Sequence, residues 1–206
     1  MNKLLVEGIG TFFLVLVIGL TAMAPGAGAT APLAIGAVLA AMVYAGGPIS
    51  GGHYNPAVTL AVWLRGACKA ADVPGYVAVQ VLGASAAALV VGVCKPGSAV
   101  AAMQPEVLPA LTAELALTFA LAYVVLHVAT SKQAAGNSYF GLAIGGTVMA
   151  GAYAVGNISG GVFNPAVAVG LTLMGLSSLG NLWLYLLANC AGGALAALAF
   201  RLTARD

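Results

Sequence analysis

The chain has 206 residues, of which 62% are hydrophobic and 6% charged. That composition excludes a water-soluble domain and indicates a chain that crosses a membrane repeatedly, with room for roughly seven or eight spans of about 20 residues. The net charge of +2 excludes a nucleic-acid-binding surface, and Cys68, Cys94 and Cys190 lack metal-ligand spacing, so they are expected as free thiols that act as small apolar fillers.

In chain order, Met1-Asn2-Lys3 leads into span 1 near 4–24. Glu7 sits early in this span and no small-residue cleavage site stands out, so it is expected to be retained and not removed as a signal peptide. A Gly- and Ala-rich loop follows, then span 2 over about 32–45. A short helix over about 55–65 and a polar connection precede span 3 at about 74–94. The longest loop, about 95–108, carries Lys, Gln, Glu and Pro. Span 4 covers about 109–129, span 5 about 139–155, a second short helix about 164–174 and span 6 about 182–202.

The two short helices are the organising feature. Gly51-Gly52-His53-Tyr54-Asn55-Pro56-Ala57-Val58 is echoed by Gly160-Gly161-Val162-Phe163-Asn164-Pro165-Ala166-Val167. Asn is suited to an N-cap, and Pro to the first helical position, where its missing N–H is not needed. Each Asn-Pro-Ala therefore reads as a helix start. The runs that follow are too short to cross a bilayer, so each is a half-helix reaching mid-depth.

The echo extends along the chain. Leu33-Ala34-Ile35-Gly36 recurs as Leu142-Ala143-Ile144-Gly145, and Ile49-Ser50-Gly51-Gly52 as Ile158-Ser159-Gly160-Gly161. Glu7, Thr11 and Phe12 recur as Glu114, Thr118 and Phe119, and Gln80 matches Asn189. Each half is three spans plus a half-helix, an odd number, so the second copy is inverted in the membrane. The expected fold is an all-α membrane protein of six spans and two re-entrant half-helices, one domain over 1–206 with repeats at about 1–100 and 108–206. With the N-terminus inside, Lys3, Arg65, Lys69, Lys132, Arg201 and Arg205 fall on the cytoplasmic side and only Lys95 outside. Both termini are then cytoplasmic, in a cell (plasma or inner) membrane.

Other residues read from chemistry alone. Glu7 and Glu114 are intramembrane carboxylates, which face a protein interior. Small residues at Gly83-Ala84-Ser85 and Gly192-Gly193-Ala194 permit close helix contact. Tyr76, Trp183 and Tyr185 read as interfacial or packing aromatics, and His127 as an interfacial or satisfied packing residue. No nucleophile–base pair or metal cluster is evident, so neither an enzyme nor a cofactor is expected.

The paired Asn-Pro-Ala boxes, Glu7-Gly8-Ile9-Gly10-Thr11-Phe12, and Ser50 through Thr59 strongly resemble the aquaporins, the major intrinsic protein family, over nearly the whole chain. The resemblance implies a passive channel for water and small uncharged solutes such as glycerol, urea, hydrogen peroxide or ammonia, assembled as a homotetramer in a lipid bilayer. It implies that the half-helices meet at mid-membrane with the free side-chain amides of Asn55 and Asn164 in the pore. It places pore carbonyls at Gly51, Gly52, His53, Gly160, Gly161 and Val162. Glu7 and Glu114 are implied to brace the re-entrant loops, helped by Gln80 and Asn189.

The chain also departs from the family pattern. Matching by distance from the boxes puts the outer constriction at Ile35, Ala152, Gly161 and Val167. The family commonly has Arg where Val167 stands, and none of the four is aromatic, His or Arg. A typical glycerol facilitator has Asp where this chain has Ala168, whereas some plant vacuolar-membrane members share the Val. The implied constriction is wide and apolar. An alternating-access transporter would suit inverted repeats as well, but no acid–base pair beyond the two glutamates offers ion coupling. A non-conducting scaffold is the third reading.

Overall fold

The computed structural model describes residues 2–98 and 100–204; Arg205, counted above among the basic residues, lies outside them. The chain forms α1 (Asn2–Ala22), α2 (Ala31–Ser50), α3 (Pro56–Arg65), α4 (Val73–Cys94), α5 (Val107–Val125), α6 (Phe140–Ser159), α7 (Pro165–Leu173) and α8 (Leu182–Thr203). All but α3 and α7 are long and apolar enough to cross a membrane, six in total. At 1.5 Å per residue, α3 and α7 reach about halfway through a ~30 Å hydrocarbon core. The architecture is all-α, with two re-entrant half-helices in an inverted repeat.

Packing follows the repeat. α1 lies on α4 as α5 lies on α8, and α2 on α6 joins the halves. Each half-helix packs on the last span of the other half, α3 on α8 and α7 on α4. Backbones approach where the small residues lie. A Cβ on Gly83 would stand 2.4 Å from the Gly8 carbonyl oxygen, one on Gly192 2.6 Å from that of Leu115, and one on Gly193 2.5 Å from that of Ala57. Any side chain at these positions would force the helices apart.

Two spans run further than their sequence implies. α2 continues past residue 45 to Ser50 and α6 past residue 155 to Ser159. Pro48 sits inside the last turn of α2, where its missing N–H removes one helix hydrogen bond without ending the helix. The true stops are Gly51 (φ 96°) and Gly160 (φ 92°), left-handed caps whose N–H groups bond back to the Gly47 and Gly156 carbonyls. α5 extends into a π-turn over Leu126–Thr130. There His127 is a satisfied packing residue: its Nδ1 is 3.0 Å from the Tyr123 carbonyl, and its ring packs on Tyr123 and Phe200.

The basic residues gather at one end of the bundle. Lys3 and Lys69 line a chamber there with Thr130. Arg65 donates to the Thr130 hydroxyl (2.9 Å) and carbonyl (3.0 Å) and lies over the Phe200 ring, and Arg201 donates to the Leu64 carbonyl. Lys95 is at the other end, donating to the Met23 and Pro25 carbonyls.

Candidate functional site

The site is built at the two loop-to-half-helix junctions. Asn55 and Asn164 are extended N-caps: Asn55 Oδ1 accepts from Ala57 N (2.8 Å), and Asn164 Oδ1 from Ala166 N (2.9 Å) and Val167 N (3.3 Å). Pro56 and Pro165 take the first helical position, followed by the fully buried Ala57 and Ala166. Each Asn then reaches across the repeat. Asn55 Nδ2 donates to the Phe163 carbonyl and Asn164 Nδ2 to the Tyr54 carbonyl, both at 2.8 Å. The amides are therefore not wholly free: one N–H of each is spent clasping the other half, and the second remains for the cavity that both residues line. The clasp brings the positive ends of α3 and α7 together.

The residues before the asparagines are the strained ones. Tyr54 and Phe163 both have φ of 49°, the left-handed region that bulky residues avoid. Buried carboxylates hold them there. Glu7 Oε1 accepts from the Ser50 hydroxyl (2.7 Å) and His53 N (2.9 Å), and Oε2 from Tyr54 N (2.7 Å) and Gln80 Nε2 (2.9 Å). Glu114 Oε1 accepts from the Ser159 hydroxyl (2.6 Å) and Val162 N (2.8 Å), and Oε2 from Phe163 N (2.7 Å). The rings lie over glycines: a Cβ on Gly10 would meet Tyr54 at 2.1 Å, and one on Gly151 would meet Phe163 at 2.7 Å.

The two braces differ. Gln80 Nε2 also donates to Thr59 Oγ1 (3.0 Å), and Thr59 Oγ1 donates to the Asn55 carbonyl (3.0 Å). His53 Nδ1 lies 3.1 Å from Thr59 Oγ1, which ties the ring to the same network. Thr59 belongs to the Ser50–Thr59 motif, but the repeat does not mark its bonding role, because its mate is Ala168. Asn189, expected to assist Glu114, does not bond to it. One methylene shorter than Gln80, it accepts from the Thr118 hydroxyl instead (3.0 Å), and its Nδ2 has no partner among the described residues. Tyr76 and Tyr185 are not interfacial. Both are buried and donate to the carbonyls of Ser50 (2.7 Å) and Ser159 (2.8 Å), at the last residues of α2 and α6. Trp183 is exposed.

The enclosed cavity measures about 70 Å³. That is room for a few water molecules. Ile35, Ala152, Gly161 and Val167 all line it, together with Asn55, Asn164, Gly52, His53, Gly160 and Val162. Gly51 lies elsewhere, on the larger chamber of about 460 Å³ at the basic end, which His53 also lines. Among the described residues none donates a hydrogen bond to the carbonyls of Gly51–His53 or Gly160–Val162. The walls also include residues the sequence reading left out: Leu14 and Leu121, Ile18 and Val125, Leu39 and Val148, Ile144, Val58 and Leu171. Most are repeat mates of one another or of residues already identified, so the internal repeat was the signal that would have found them. The result is a file with aliphatic walls, two amide donors at its waist and a ladder of carbonyl acceptors.

The family profile described as Major intrinsic protein matches residues 1–200. Aquaporin NIP1-4 of Oryza sativa subsp. japonica is 38% identical over 98% of this chain and 77% of its own. Glycerol uptake facilitator protein-like 6 of Lactiplantibacillus plantarum is 36% identical over 98% of this chain and 97% of its own. Nodulin-26 of Glycine max is 33% identical over 93% and 74%. Among solved structures, the aquaglyceroporin from Plasmodium falciparum matches with a TM-score of 0.76 over 98% of this chain and 95% of that one; at 18% identity the likeness is one of fold.

Proposed function

The chain belongs to the major intrinsic protein family, and we propose that its pore passes uncharged solutes of urea or glycerol size as well as water. It is a multi-pass membrane protein and a passive channel for water and small uncharged solutes; an alternating-access mechanism is not favoured. One observation carries the wider solute range. Ile35, Ala152, Gly161 and Val167 line a single cavity, and none of them supplies a ring, a charge or a side-chain donor. A relative named for glycerol uptake supports the same range. Re-swelling of osmotically shrunken proteoliposomes in urea or glycerol tests it.

In this reading a solute moves along the carbonyls of Gly52, His53, Gly160, Gly161 and Val162 and meets the remaining amide N–H of Asn55 and Asn164 at the waist. The two half-helix ends repel cations and orient the solute oxygen toward the amides, which breaks a proton-conducting water wire. Glu7, Glu114 and Gln80 brace the pore wall without touching solute. Because Val167 supplies no second positive barrier, cation exclusion rests on the waist. Asn164→Asp removes the donor and adds a negative charge there. It is expected to raise the cation leak of proteoliposomes by at least about tenfold, read with a potential-sensitive dye, since a ~1.4 kcal/mol change in the barrier suffices. An unchanged leak would place the barrier elsewhere.

We propose further that the chain is one channel domain with repeats at about 1–100 and 108–206, placed in a cell membrane with its basic end and both termini cytoplasmic. Lys3, Arg65, Lys69 and Arg201 at one end and Lys95 at the other support that orientation. A homotetramer, each copy with its own pore, is the expected assembly. The apolar face of α1 and α4, with Leu5, Ile9, Phe13 and Leu82 exposed, is a surface such an assembly would cover. Native mass spectrometry in mild detergent should show the four-chain species; monomers alone would contradict it.

A further inference from the structure

We infer that Met103 is a further specificity-determining residue, closing the outer rim of the pore above the four constriction positions. It is far from them in sequence, in the long connection between α4 and α5, and no motif marks it. The structure fixes its place from several directions. Its N–H donates to the Leu176 carbonyl (3.0 Å), its own carbonyl accepts from Asn181 Nδ2 (3.0 Å), and it forms a parallel bridge with Ser177. The start of the same connection is tied down separately, by Lys95 on the Met23 and Pro25 carbonyls and by the Ser98 hydroxyl on the Ala24 carbonyl (3.0 Å). The backbone of Met103 is thus anchored on the segment between α7 and α8, and its side chain is delivered to one spot.

That spot is Gly160. The Met103 sulfur lies 3.3 Å from where a Gly160 Cβ would stand, and the Tyr185 hydroxyl lies 3.8 Å from the same point. Gly160 is exposed and forms part of the cavity wall, next to Gly161 of the constriction. Glycine is required there by its φ of 92°, so position 160 carries no side chain of its own. The half-buried thioether of Met103 lies beside Gly160 on the side where a Cβ would stand, just outside the residues that line the cavity. A thioether is apolar, polarizable and unbranched, and three torsions let it yield to a solute that fits. Ala152, Gly161 and Val167 leave space at the constriction, and Met103 sets how much of that space a solute can use as it arrives.

This inference rests on the solute range proposed above, and the test separates the two. Water, urea and glycerol fluxes are measured in the same proteoliposomes for the parent, Met103→Ala and Met103→Phe. Met103→Ala should raise the glycerol-to-water flux ratio by about tenfold, the size of effect that a lost methylene or more has in a close-fitting apolar site, and Met103→Phe should lower it by a comparable factor. Equal ratios in all three proteins, with the parent passing urea or glycerol, would overturn the role of Met103 and leave the solute range standing. A parent that excludes urea and glycerol, with Met103→Ala excluding them too, would overturn both. If Met103→Ala admits solutes that the parent excludes, Met103 is the closing residue and the range assigned to the parent is wrong. The Asn181 and Leu176 bonds use the backbone of residue 103, so both variants keep the anchor.

Discussion

Glu7→Ala should be the most damaging single substitution in the protein. It removes the acceptors of four donors at once: the Ser50 hydroxyl, the His53 and Tyr54 backbone N–H groups and Gln80 Nε2. All belong to buried residues, so no solvent takes the place of the carboxylate. At roughly 1–3 kcal/mol for each unsatisfied buried donor, the sum exceeds ~4 kcal/mol. The loss also releases Tyr54 from its left-handed conformation, and with it the carbonyl that Asn164 clasps. The expected result is failure to accumulate as folded protein, or a large fall in thermal midpoint in detergent together with loss of flux. Glu114→Ala should follow at smaller magnitude, because Glu114 accepts from three donors and Asn189 is not among them. Glu7→Gln should fall between parent and alanine, since it keeps one acceptor oxygen. Thermal midpoints ranked in that order support the account; a Glu7→Ala protein as stable as the parent would contradict it.

Val167→Arg should have the largest effect on selectivity. Val167 is the first residue after the second box, and it lines the cavity. An arginine there brings a fixed positive charge, five donors and greater bulk beside the carbonyls of Gly160, Gly161 and Val162. Water, small and able to accept from those donors, should still pass. Urea and glycerol need the space itself, and their flux should fall by at least about tenfold relative to water, a barrier difference of ~1.4 kcal/mol. Cation leak in the Asn164→Asp background should fall as well when Val167→Arg is added, because a second positive barrier is then present. The same site in the same vesicles thus reports on both size and charge exclusion.

Much of this was legible from the sequence because the strongest signals are geometric. Asn followed by Pro states where a helix begins, and two copies in an inverted setting leave the chain few ways to place them. What escaped detection did so for identifiable reasons. The ends of α2 and α6 are hidden because both stops depend on φ values, at Gly51 and Gly160, that composition does not display. Tyr54 and Phe163 gave no hint of a left-handed backbone, since their own preferences oppose it and only the distant carboxylates Glu7 and Glu114 impose it. Thr59 stands in the Ser50–Thr59 motif but gains no role from the repeat because its mate is Ala168, and Asn189 misleads because it matches Gln80 in chemistry but not in length. The aliphatic walls, from Leu14 to Leu171, lie in uniformly apolar spans, where periodicity does not distinguish a pore face from a packing face. Comparing the two halves position by position distinguishes it, since Leu14 and Leu121, or Ile18 and Val125, reach the cavity together.

The central claim is that the four-residue constriction, lacking ring and charge, admits solutes larger than water. The most direct measurement is paired: osmotic water flux and urea or glycerol flux by light scattering, in one preparation of proteoliposomes, for the parent and for Val167→Arg. The account predicts that the parent passes water and at least one of the larger solutes, and that Val167→Arg retains water flux while losing most of the other. A parent that conducts water and excludes both urea and glycerol would contradict it.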